Sequence, residues 1–162
     1  MLVDYDLMPE SSRVWIYQSD GPIEGEKLEL VKNRIESFIQ TWKRHGEDLK
    51  ASYLLKYNHF IILLVDEDFN DVSGCSIDAS VNMLRQVEKE LAMDLTNKLN
   101  VSFKDNDNIN IVNLSEFKKY ASSRKITADT VVFNNLVTTK KGFESNWEVK
   151  ATKSWHSRFL VS

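Results

Sequence analysis

Cysteine, proline and glycine are scarce in this chain: 162 residues hold one cysteine, two prolines and five glycines. A single cysteine forbids an intramolecular disulfide framework and any multi-cysteine metal site, and it fits a reducing compartment. Both prolines, Pro9 and Pro22, lie near the start, so no proline-rich hinge divides the sequence. No internal repeat and no low-complexity stretch is present. The longest apolar run, Phe60–Val65, is far below the roughly 20 residues that span a bilayer. The first residues lack a basic region followed by an apolar one, so no signal peptide is expected. Basic excess is absent too, with 21 Lys and Arg against 24 Asp and Glu and a formal charge of -3. A nucleic-acid binder concentrates cations on one face. The nearest run here, Lys118 and Lys119 with Arg124 and Lys125, reads as solvated helix surface. A cytoplasmic protein with no nucleic-acid and no membrane partner is the expectation.

What is present is the mixture of a globular protein, 42% hydrophobic and 28% charged, enough to build a core without staples. One domain over residues 1–162 is expected. Residues 13–18, β-branched and aromatic, predict a strand. Residues 26–45 predict a helix whose apolar face carries Leu28, Val31, Ile35, Phe38 and Trp42, with Arg44-His45-Gly46 as its stop. Residues 52–56 and 60–65 predict a hairpin. Residues 77–95 predict a second helix, capped by Ser76 or Ser73; Glu88 interrupts its apolar side and Val87 continues it. Further strands are expected at 101–103, 109–112 and 130–137, with a short helix at 115–122. The first six elements run β-α-β-β-α-β. That order predicts an α+β two-layer sandwich with a ferredoxin-like core and a C-terminal extension.

The most informative stretch follows the apolar run Phe60–Val65. The chain turns through an acidic loop, and Ser73-Gly74-Cys75-Ser76 then opens a helical pattern. Backbone N–H groups point outward at a helix start, and the macrodipole favours an anion or a thiolate there. Ser73, Gly74, Cys75 and Ser76 are therefore the candidate ligand-binding residues, with Gly74 expected for a positive φ or a close approach. Cys75 is the candidate nucleophile. A thiol enzyme also needs a base, and of His45, His59 and His156 only His156, in the aromatic tail, is placed to serve. Trp147, Trp155 and Arg158 in that tail are the candidate partner-binding residues, since Trp and Arg are enriched in binding hot spots.

Two partial motifs suggest nucleotide chemistry. Phe60–Val65 followed by Asp66 and Glu67 has the form of a Walker B strand, and residues 72–76 look like the ABC signature. No G-x-x-x-x-G-K-[ST] loop is present to cradle phosphates, and the signature follows the strand instead of preceding it. Asp66, Asp68 and Asn70 alternate like the first EF-hand ligands, but Asp71 and Ile77 stand where glycine and glutamate are required. No metal and no cofactor is expected. The chain resembles a family of short, uncharacterised Bacteroidota proteins often labelled ABC transporter ATPase. The likeness spans almost the whole length and includes residues 9–18, 73–78, 132–137 and 146–160, and the label implies nucleotide binding. From the residues themselves, the leading expectation is a non-enzymatic binding or regulatory module. Its partner would be another protein or a small anionic ligand. A thiol-dependent enzyme using Cys75 is the alternative.

Overall fold

A computed structural model describes residues 1–161. It is a mixed α and β structure with antiparallel sheets. The chain divides into two compact units, residues 1–96 with 138–141 and residues 97–137 with 142–161.

In the first unit, β1 (Arg13–Gln18), α1 (Glu26–Gln40), a small hairpin of β2 (Lys43–Arg44) and β3 (Glu47–Asp48), β4 (Ala51–Lys56), β5 (Phe60–Val65) and α2 (Gly74–Leu91) follow in order. β5 is the central strand of a sheet ordered β1-β5-β4. Its six consecutive apolar residues are all buried, as a strand covered on both faces requires. Ile61, Leu63 and Val65 share a core with Val31, Ile35 and Ile39 of α1 and with Leu84, Val87 and Leu91 of α2. The four-residue steps of the α1 residues make one ridge along the helix.

α1 stops at Gln40, short of the expected 45. Thr41 and Trp42 donate their amides to Phe38 and Ile39 at 3.1 and 3.2 Å, the tightened last turn of a helix. His45 and Gly46, at φ 51° and 82°, then make the two-residue turn that closes β2 on β3. Positive φ at both positions is what such a hairpin demands, so Gly46 has the conformation expected of it but in a different element. α2 starts three residues earlier than predicted because Ser73 is its cap, and it ends where Ala92 turns left-handed at φ 52°. Glu88, which interrupts the apolar side, accepts the amides of Leu95 and Thr96 at 2.8 and 3.2 Å and so ties down the exit.

The expected sixth element does not complete the first sheet. The outer edge of β1, where it would pair, is taken by a later segment: Val14 donates to the Thr138 carbonyl at 2.9 Å, and Arg13 bridges Thr139. Lys140 holds this return in place. Its Nζ donates to the carbonyls of Tyr5 and Met8 at 3.0 and 2.8 Å.

The sixth element, β6 (Asn100–Asp105), belongs to the second unit, with β7 (Asn108–Asn113), α3 (Leu114–Ser122), β8 (Val131–Phe133), α4 (Lys140–Asn146, which begins in the first unit's residues) and β9 (Glu148–Lys150). Its sheet is ordered β7-β6-β8-β9. Val101, Phe103, Phe117, Ile126, Val132 and Ala151 form its core. The strand expected over 130–137 keeps only three residues, because Asn134 accepts the Leu136 amide on its side chain at 3.1 Å and turns the chain.

Candidate functional site

The start of α2 is built as a polar knot. Ser73 Oγ accepts the Ser76 amide at 3.2 Å. Ser76 Oγ donates to the Lys43 carbonyl at 2.9 Å, which uses its only hydrogen. Ser73 is therefore the donor in the 2.8 Å contact between the two hydroxyls. Trp42 Nε1 donates to the Ser76 carbonyl at 2.9 Å. The two serines expected to receive a ligand are thus committed to the cap and to the β2–β3 hairpin, and Ser76 is 3% exposed.

Gly74 and Cys75 differ from them. Both are exposed, and their amides have no hydrogen-bond partner among the described residues. They are the two open donors of an 18-residue helix. Gly74 is not there for conformational reasons: its φ is not left-handed, and an added Cβ would meet nothing within 4 Å. The expected positive φ or close approach is absent because the chain enters the helix through an extended Ser73 (φ -97°, ψ 165°).

One charged residue near this start escapes a reading of the sequence. Arg44 adjoins Lys43, the residue whose carbonyl anchors Ser76. Its guanidinium reaches Asp71 at 3.9 Å, while its Nε is buried and has no partner. The position was legible only as a helix end, and no periodicity signals that a hairpin brings Arg44 back beside α2. Asp71 and Asp78 oppose an anion here, and neither belongs to the first turn of the helix.

The acidic loop is tied to segments distant in the chain as well as to itself. Asp66 pairs with Lys50 at 3.5 Å and accepts the Asp68 amide at 3.1 Å. Asp68 accepts the Ser11 hydroxyl at 3.2 Å. Asn70 donates to the Asp48 carbonyl at 3.4 Å. Among the described residues no group of three His, Cys, Asp or Glu is placed to hold a metal ion.

His156, the expected base, belongs to the second unit and Cys75 to the first. His156 is fully buried. Its Nδ1 lies 2.7 Å from Ser154 Oγ, its ring is stacked on Trp155 at 3.8 Å and edge-on to Phe117 at 5.3 Å, and its Nε2 has no partner. Burial pushes its pKa down to about 4, so the ring is neutral at pH 7. It is a core residue of its unit.

Of the three residues expected to meet a partner, Trp147 is 3% exposed. It packs on Phe133 and Phe143, each at 4.8 Å, and donates Nε1 to Asn135 at 2.9 Å. A large aromatic in a tail reads alike whether it closes a core or caps a surface, and here it closes a core. Trp155 is half-buried, with its Nε1 unpartnered. Arg158 is exposed and donates Nε to the Trp155 carbonyl at 3.2 Å. The basic run in and just after α3 is surface, with Lys118 over the Phe159 ring and Lys125 over the Tyr120 ring.

No helix among the described residues is long and apolar enough to cross a membrane. Compared with protein-family models, curated proteins and solved structures, the chain matches none.

Proposed function

We propose that this protein is a non-enzymatic, cytoplasmic binding or regulatory module that receives a small anion, or an anionic group of a partner protein, at the start of α2. The observation that carries the reading is the pair of exposed, unpartnered amides of Gly74 and Cys75 at the positive end of a long helix. Arg44 supplies the adjacent cation. The thiol-enzyme alternative needs a base for Cys75, and the expected one is a neutral ring inside another unit's core. The nucleotide binding implied by the family resemblance would rest on the same two amides, without a phosphate loop.

The test is thermal stabilisation by inorganic phosphate in the wild type, Cys75→Ser and Arg44→Gln. The melting temperature should rise saturably with millimolar phosphate in the wild type and in Cys75→Ser, and the rise should shrink in Arg44→Gln. Binding that disappears with Cys75→Ser but survives Arg44→Gln would contradict the reading.

A further inference from the structure

The open strand edges of the two sheets are not equivalent. β1 is covered by residues 138–139. β4 is covered at Ala51, which accepts the Val3 amide and donates to the Met1 carbonyl, and it is preceded by Lys50 and ends on Lys56. β9 is three residues long and carries Glu148 and Lys150. Short, charged or covered strands are how proteins protect a sheet edge. β7 has none of these protections. It is six residues long, Asn-Ile-Asn-Ile-Val-Asn, and carries no charge and no proline.

The register identifies which backbone groups β7 offers. Leu114 donates to the Leu99 carbonyl at 2.8 Å, continuing the ladder that pairs Val101 with Val112 and Phe103 with Asn110. Opposed residues of an antiparallel pair alternate between bonded and non-bonded positions. Val112, Asn110 and Asn108 therefore turn their N–H and C=O groups towards β6. Ile109 and Ile111 turn theirs outward, where nothing among the described residues meets them.

We infer that β7 is a self-association edge whose occupant is the β7 of a second copy of this chain. The strand is its own complement. With a two-fold axis at Asn110, Ile109 of one copy exchanges both backbone hydrogen bonds with Ile111 of the other, and the reverse pair forms by symmetry. The four isoleucine side chains then lie together on one face, where they are half-buried in the single chain. The two Asn110 side chains meet on the opposite face. No like charges are opposed within Asn108–Asn113, because that segment has none. Two rungs make a small contact, so the dimer is weak and depends on concentration.

The test is sedimentation velocity of the full chain from low micromolar to near-millimolar concentration, on the wild type and two double variants. I109K/I111K sets Lys against Lys in this register. I109E/I111K removes the same isoleucines and sets Glu against Lys, twice. Far-UV circular dichroism and melting establish that each variant is folded. Ile109→Pro is the second probe: it removes an outward N–H that the β6 ladder does not use. The expected result is a reversible wild-type dimer, weakened by Ile109→Pro, with I109E/I111K dimerising at least about tenfold more tightly than I109K/I111K. A wild type that stays monomeric throughout, equal dimerisation by the two double variants, or a dimer indifferent to Ile109→Pro would overturn the inference.

Discussion

The start of α2 and the surroundings of His156 each gather polar groups around an indole, and they treat them in opposite ways. At Ser73–Ser76 both serine hydroxyls have an acceptor, and the Trp42 indole completes the knot. The backbone amides of Gly74 and Cys75 are left over and face solvent, while beside them Nε of Arg44 is buried without a partner. Around His156 the leftover groups are Nε2 of the imidazole and Nε1 of Trp155, and both are buried. Polar groups left open at a surface are available to a ligand. Polar groups left unpaired inside cost stability instead. The comparison explains why the cysteine's neighbourhood, and not the tail, is the better candidate site.

The largest effect that tests this contrast is at Trp42. It is 2% exposed, packs on Phe38 at 5.0 Å and bonds Ser76. Trp42→Ala should lower stability by about 3–5 kcal/mol in urea unfolding. A loss below about 1 kcal/mol, the cost of an ordinary surface change, would show that the knot does not depend on the indole.

The His156 region should reveal itself by pH. Its folded pKa of about 4 lies below the ordinary 6.5, so between these values the unfolded chain binds a proton that the folded chain refuses. The stability is then fully present above pH 6.5 and is lost as pH falls towards 4, by up to about 3 kcal/mol. His156→Phe keeps an aromatic ring and cannot titrate, so its stability should vary less over this window. Equal slopes for the two proteins in denaturant titrations from pH 7 to 4 would show that His156 is not held neutral.

Two smaller effects sharpen the other side. Ser73→Ala removes the cap and should cost about 1 kcal/mol. Gly74→Ala should be neutral or stabilising by up to about 1 kcal/mol, since the backbone there is not left-handed and the space is open. Both are read by thermal melts. A strongly destabilising Gly74→Ala would restore the close approach that the structure does not show.

Much of this was legible in the residues themselves. β1 and β5 declare their type through β-branched, aromatic and apolar runs, and the placement of Cys75 at a helix start follows from a serine pair and a glycine ahead of an apolar stripe. The sheet pairing was not legible. Element order names a topology only if each edge is free, and nothing about Thr138 and Thr139 announces that they occupy the edge of β1. Trp42 reads as a core residue of α1 and is one, yet it packs from just beyond the helix, because a side chain that continues an apolar stripe can do so from the turn after it. Arg44 stayed hidden for the same reason: the hairpin that places it beside α2 looks, in sequence, like the end of α1. Trp147 and Trp155 carry the same aromatic signal, yet Trp147 is buried with its indole bonded to the Asn135 side-chain oxygen, while Trp155 is half-buried with its indole nitrogen unpartnered.

The most direct test of the central claim is the backbone amide spectrum of the nitrogen-labelled protein during titration with inorganic phosphate. The amides of Gly74 and Cys75 should move saturably and ahead of the rest, while the Ser76 amide, already bonded to Ser73, should move less. Arg44→Gln should weaken the response without abolishing the fold. Gly74 and Cys75 amides that stay fixed while other residues shift, or no saturable shift at any residue, would contradict an anion site at the start of α2.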